Sequence, residues 1–260
     1  MARSAAVWDP AQYLRFANER MRPALDLLAQ VPLDAPARVV DLGCGAGNVT
    51  AILKQRFPEA DVVGVDGSPA MLEKARATVP DCRFEAADFF QWQPREAPDL
   101  IYSNAALHWV DRHPTLFPRL LSCVAPGGVL AIQMPTMHDT PLRRLPVEIA
   151  ASARWNEWLS GIVSAPDILS PTEYWDLLRP HATSLEIWQT TYMHALSGEN
   201  AVMEWASGSS LRPFLDRLPG EQKEAFRQAY AEAVRPHYPR RADGTTILPF
   251  QRLFMVARQA

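Results

Sequence analysis

Three acids and three glycines carry the chemistry that can be read first. In Val39-Val40-Asp41-Leu42-Gly43-Cys44-Gly45-Ala46-Gly47 an apolar stretch ends in an acid and runs into glycines at alternate positions. Glycine permits a tight turn and close approach of backbone N–H groups to a ligand, and a helix starting after Gly47 adds a partial positive charge at its N-terminus. A pyrophosphate fingerprint has its last glycine one residue later, and an acid directly before the turn is a poor neighbour for two phosphates. The G-x-G-x-G spacing with Asp41 suits S-adenosylmethionine better: an amino-acid carboxylate for backbone N–H groups and an ammonium for Asp41.

Two further acids sit where such a ligand needs them. Asp61-Val62-Val63-Gly64-Val65-Asp66 reads as the next strand, and Asp66 at its end can accept both ribose hydroxyls. After a third strand, Arg83-Phe84-Glu85-Ala86-Ala87, Asp88 offers a carboxylate for an adenine amino group and Phe89 an apolar ring beside the base. Each acid taken singly is equally readable as a turn or helix cap. Three acids after three successive strands are harder to explain that way.

These residues need a scaffold that delivers strand ends to one place. From Arg38 to Met134 apolar strands alternate with helical stretches, including Asn48 to Phe57, a helix opened by Ser68-Pro69, and Pro114 to Val124. Continuous apolar strands such as Val129-Leu130-Ala131-Ile132 imply a parallel sheet covered on both faces. Beyond Met134 short helical stretches such as Val147 to Trp158 replace the alternation, which returns in Leu185 to Tyr192; a helical block over about Glu199 to Tyr238 precedes a last strand, Pro249 to Arg258. The expected fold is α/β, a Rossmann-like mixed sheet of seven strands, mostly parallel with the last strand antiparallel, plus a helical cap. The expected divisions are an N-terminal helical lid over 1–36, a cofactor-binding core over 37–135, and cap insertions with the last two strands over 136–260. The lid begins at Asp9-Pro10, an N-cap followed by proline, and carries Tyr13 and Phe16 at helical spacing. Ligands of such sheets lie outside the carboxyl ends of the strands, where Asp41, Asp66, Asp88 and Ser103-Asn104 all fall.

Composition narrows the partners. A formal net charge of -3 over 260 residues advertises no basic face, which argues against a nucleic-acid or membrane-surface binder. Any anionic substrate must therefore be held by local arginines. The three cysteines are scattered and the six histidines lack ligand spacing, so neither a disulfide framework nor a metal is expected. No secretory or membrane-spanning segment is visible, which gives the cytoplasm as the expected compartment.

The segment Arg38 to Met134 resembles the class I S-adenosylmethionine-dependent methyltransferases. Beyond it, Trp8-Asp9-Pro10, Phe16-Ala17, Leu100-Ile101-Tyr102, Gln133-Met134-Pro135, Ile187-Trp188, Thr190-Thr191-Tyr192, Leu211-Arg212-Pro213 and Arg252-Leu253-Phe254 are similar to motifs of one member family, the bacterial trans-aconitate methyltransferases. Two departures stand out: Thr136 to Asp167 carries little of that pattern, and Ser210 stands where the family tends to show glycine. The resemblance implies esterification of trans-aconitate at the carboxylate numbered two.

That reaction needs no general base, because a carboxylic acid with a pKa of roughly 4 is already ionised at neutral pH. It needs proximity, a site closed to water, and donors for the two carboxylates that do not react. The family pattern nominates Tyr192, His194, Arg212 and Arg252 for the substrate. For Arg212 the alternative is a surface arginine beside a proline turn, for Arg252 a structural ion pair, and for His194 a hydrogen-bonded strand histidine. Asn104 and Tyr13 are candidates for orienting a ligand, although each also reads as an ordinary turn or packing residue. Trp109 reads as core packing or a shield. Other acceptors, such as a different small polycarboxylate or a malonyl thioester, remain open, as do a cofactor-binding protein without catalysis and a nicotinamide dehydrogenase.

Overall fold

The structure, a computed structural model, describes residues 21–136, 139–162 and 168–260. The expected lid helix with Tyr13 and Phe16 lies outside them. The described chain begins with α1 (Arg22–Leu28), β1 (Arg38–Leu42), α2 (Asn48–Arg56), β2 (Asp61–Asp66), α3 (Pro69–Thr78) and β3 (Arg83–Ala86). It continues with β4 (Leu100–Asn104), α4 (His113–Cys123), β5 (Val129–Pro135), α5 (Pro141–Ala150), α6 (Asn156–Leu159) and α7 (Pro171–Leu178). The last elements are β6 (Ala182–Ser197), α8 (Ala201–Ser207), α9 (Arg212–Arg217), α10 (Gly220–Val234) and β7 (Thr245–Gln259).

All seven strands form one sheet in the order β3-β2-β1-β4-β5-β7-β6, with β7 antiparallel to both neighbours and the rest parallel. The expected mixed sheet is thus found. Its two last strands are longer than the alternation suggested, running over Ala182–Ser197 and Thr245–Gln259.

The chain divides into two compact units. One draws its described residues from Met1–Met134, Ile168–Gln189 and Arg252–Ala260, the other from Pro135–Asp167 and Thr190–Gln251. In the first, parallel register partners share a face, and the pairs Val40↔Val63, Val40↔Ile101 and Ile101↔Leu130 place one apolar row across four strands. That face packs on Leu116, Phe117, Leu120, Tyr174 and Leu178 of α4 and α7, all fully buried. Local signals start these helices: Ser68 accepts the N–H of Met71 ahead of Pro69, and Ser170 with Glu173 forms a capping box ahead of Pro171.

The second unit has its own core, in which Trp155 meets Phe226 edge to face and Phe214 stacks on Phe226. Here the structure corrects the sequence reading. Instead of one helix over Val147 to Trp158, α5 starts at Pro141 and ends at Ala150, and α6 follows after a turn. The helix runs through Pro146, which has no N–H to give the carbonyl of Leu142 one turn earlier. The hydroxyl of Tyr230 on α10 donates to that carbonyl instead, at 3.1 Å. Among the described residues no helix is long and apolar enough to cross a membrane.

Candidate functional site

The opposite sheet face of the first unit carries a polar row. Asp41 registers with Gly64 and Tyr102, and Asn104 registers with Gln133, so Asp66, Asp41, Asn104 and Gln133 share one face of β2, β1, β4 and β5. On β7, Leu253, Met255 and Ala257 belong to the apolar core, which turns Arg252 to the same side as the row. Five adjacent strands therefore contribute, in sheet order, two carboxylates, two amides and a guanidinium. Asp41, Gln133 and Arg252 are 1%, 0% and 7% exposed.

The carboxylate end is built from the glycine turn. Gly43, Gly45 and Gly47 all have φ between 54° and 85°, and α2 starts directly after Gly47. A Cβ on Gly43 would lie 2.2 Å from Cβ of Ala106 and 3.3 Å from Cζ of Phe89, so two other loops press on the turn. At Gly45 a Cβ would meet nothing within 4 Å among the described residues. The N–H groups of Gly43, Cys44, Gly45 and Gly47 also hold the turn to the protein. Those of Gly43 and Cys44 donate to the carbonyl of Val65, that of Gly47 to Cys44, and that of Gly45 to Asp66 Oδ2 at 2.9 Å.

Asp66 also accepts the N–H of Ser68 on Oδ1, at 2.8 Å. Asp41 accepts a hydrogen bond from the Thr50 hydroxyl at 2.7 Å. Burial, and less strongly the charge of Asp66, push its carboxyl up to about 7. A carboxylate held this deep beside another acid favours a cation. Asp88 is exposed and accepts the N–H of Phe90, so its turn-capping role is realised in this structure. Phe89, half-buried, is held at the turn because Arg119 donates to the carbonyls of Phe89 and Trp92.

The middle of the row is polar without being self-satisfied. Ala105, directly after Asn104, has φ +53°, a conformation costly for a residue with a Cβ, and its N–H donates to the carbonyl of Gln133. Oδ1 of Asn104 and Nε2 of Gln133 are buried and have no hydrogen-bond partner among the described residues. Arg252 donates to Gln133 Oε1 at 3.4 Å. His113 braces this loop from below: its ring bonds the carbonyl of Leu107 through Nε2 and the hydroxyl of Tyr174 through Nδ1.

A family model described as a methyltransferase domain matches residues 13–196. The trans-aconitate 2-methyltransferase of Methylobacterium radiotolerans is 48% identical, over 98% of this chain and 99% of that protein. The same-named proteins of Paracidovorax citrulli and Yersinia pestis are 48% and 46% identical, over 97% and 96% of this chain and 98% and 97% of theirs. The chain belongs to the trans-aconitate 2-methyltransferase family.

Among solved structures, the fold is shared with YcgJ of Bacillus subtilis (TM-score 0.59, 13% identity, 92% of this chain and 98% of that one). It is also shared with a Haemonchus contortus phosphoethanolamine N-methyltransferase in complex with S-adenosyl-L-methionine (TM-score 0.56, 16% identity, 92% and 53%).

The remaining residues nominated by family likeness lie in the second unit. Tyr192 and His194 are buried on one face of β6 with their rings 6.4 Å apart, and His194 packs 4.7 Å from Trp205. Arg212 opens α9, its side chain 65% exposed, 3.5 Å from Asp216. Trp109 is half-exposed rather than core, with its ring 4.7 Å from His108. Gln133 was missing from the nominated residues, though a single amide inside the apolar run Val129 to Met134 is itself a signal: a buried polar group needs a partner.

Proposed function

We propose that this chain transfers a methyl group from S-adenosylmethionine to a carboxylate of trans-aconitate, giving the monomethyl ester at the position numbered two in its relatives' names. The observation that carries this reading is the charge order along the polar row, with acids at one end, a guanidinium at the other and neutral amides between. A cationic donor and a polyanionic acceptor differ in the same sense. When bound, the donor supplies an electrophilic methyl on a sulfonium.

The chain's own residues have the positioning work. Asp41 would hold the ammonium, Asp66 the ribose, and Phe89 the base, with Gly43 shaping the turn and Gly45 giving the room; Asp88 remains a proposed contact for the adenine amino group. Arg252 would pair with an unreacting carboxylate, in keeping with the strength of charge-assisted bonds. Asn104 stands between the two ends and would orient either ligand. No residue needs to take a proton from an acid already ionised, so proximity and exclusion of water supply the rate. Family likeness nominates Tyr192, His194 and Arg212 as further acid-binding residues, each testable by its own effect on KM. The small-molecule reading also agrees with a net charge of -3, which gives no general attraction for nucleic acid.

The test is ester formation across a panel: trans-aconitate, small dicarboxylates and a malonyl thioester. The highest kcat/KM is expected for the tricarboxylate. Preference for the thioester would move the chain to a different acceptor, and cofactor binding without turnover of any acid would make it a binding protein.

A further inference from the structure

We propose that Gln133 is a specificity-determining residue, which fixes the Arg252 guanidinium with one end of its amide and donates to a carboxylate of the bound acid with the other. This rests on the reading of the substrate as a polycarboxylate.

The amide's orientation follows from its partner. A guanidinium has donors only, so the group facing Arg252 must be the oxygen, as found at 3.4 Å, and Nε2 is directed elsewhere. That nitrogen is buried and finds no acceptor among the described residues, in a side chain with no exposure at all. Its register neighbour Asn104 has a buried Oδ1 that is likewise unpartnered among them, so the two amides do not satisfy one another. A buried donor left in this state costs free energy that a hydrophobic residue of the same size would avoid. The rest of the strand, Val129 to Met134, is apolar and buried, so a polar residue here is not explained by packing.

A neutral amide also suits the place chemically. A glutamate would neutralise Arg252 and repel an acid, and a lysine would leave the guanidinium facing a like charge. Glutamine, being neutral, takes no charge from Arg252 and adds a second donor beside it. Its backbone contributes as well: the Gln133 carbonyl holds the N–H of Ala105, the residue that turns the chain after Asn104.

The test compares wild type with Gln133→Glu and Gln133→Met. For Gln133→Glu the expected result is a KM for trans-aconitate raised roughly 10- to 150-fold, the worth of a lost charge-assisted bond, with a smaller effect on kcat. The dissociation constant for S-adenosylhomocysteine and the melting temperature should stay near wild type. Gln133→Met should weaken trans-aconitate binding to the S-adenosylhomocysteine-loaded protein by a similar factor, and the loss should be smaller for a dicarboxylate than for the tricarboxylate.

An unchanged KM in both variants overturns the proposal. So does a fall in cofactor affinity and melting temperature that parallels the loss of substrate affinity, because that is the signature of a structural prop. If wild type itself neither binds nor esterifies trans-aconitate, the proposed function fails and this inference fails with it. If wild type is active and the variants match it, this inference alone fails.

Discussion

Gly45 donates its N–H to Asp66 Oδ2 at 2.9 Å, so the glycine turn after β1 and the acid ending β2 hold each other in place. The second oxygen of Asp66 takes the N–H of Ser68 at the mouth of α3. An acid read from sequence as a ligand contact therefore also sets the shape of two turns. Asp66→Ala should abolish measurable cofactor binding. Asp66→Asn keeps one carbonyl oxygen for two N–H groups and should weaken binding roughly 10- to 150-fold. Titration calorimetry with S-adenosylhomocysteine reads both, and retained affinity in the alanine variant would remove Asp66 from the site.

Asp41 predicts a pH signature of cofactor binding. Its carboxyl is pushed well above the usual carboxylate range, up to about 7, chiefly by burial. The folded ligand-free protein therefore holds a proton that the unfolded chain has released, and this stabilising contribution, complete below about pH 4, is lost as pH rises through 7. An ammonium beside Asp41 reverses the preference. Binding of S-adenosylmethionine near pH 6.5 should release protons, seen as a dependence of the calorimetric heat on buffer ionisation enthalpy. Asp41→Asn should remove that dependence, and a wild type with no proton release would contradict the assignment.

His113 gives the opposite slope. Burial lowers its pKa from 6.5, and its neutral ring suits both partners: Nε2–H donates to the Leu107 carbonyl while Nδ1 accepts from Tyr174. Below about pH 6.5 the unfolded chain takes up a proton that the folded one resists, so stability falls with acid. Urea titrations at pH 7.5 and 5.5 should show a larger loss for wild type than for His113→Asn. Equal losses would show that this ring does not govern the acid limb.

Pro146 and Tyr230 should be coupled. Tyr230→Phe strands the Leu142 carbonyl in a buried helix, at a cost of about 1–3 kcal/mol. Pro146→Ala supplies the missing N–H, so the same Tyr230→Phe change should cost less in that background. A double-mutant cycle in urea measures this, and strict additivity would show that the hydroxyl is not replacing the proline's lost donor.

Much of the fold was legible because its signals are local and redundant. Apolar runs ending in Asp41, Asp66 and Asn104 mark parallel strand ends, and Ser68-Pro69 marks a helix start. Helix α5 was misplaced because Pro146 reads as a breaker, and the hydroxyl that compensates for it comes from 84 residues further along the chain. The role of Gln133 was hidden for a related reason: its partner Arg252 is 119 residues away, joined to it only when β7 inserts beside β5. Asp41 was visible as an acid before a turn, but its raised pKa depends on how completely the sheet and α2 enclose it. The glycine turn was read correctly as a turn, while the destination of its N–H groups needed the neighbouring strand.

On the proposed function, one sheet face separates sites for a cationic methyl donor and a polycarboxylate acceptor. This is tested most directly by incubating the protein with methyl-labelled S-adenosylmethionine and trans-aconitate, then fragmenting the product in a mass spectrometer. One labelled methyl on a carboxyl oxygen of an otherwise intact tricarboxylate is the expected product. Label on carbon, or no labelled acid from protein that demonstrably binds the donor, would contradict it.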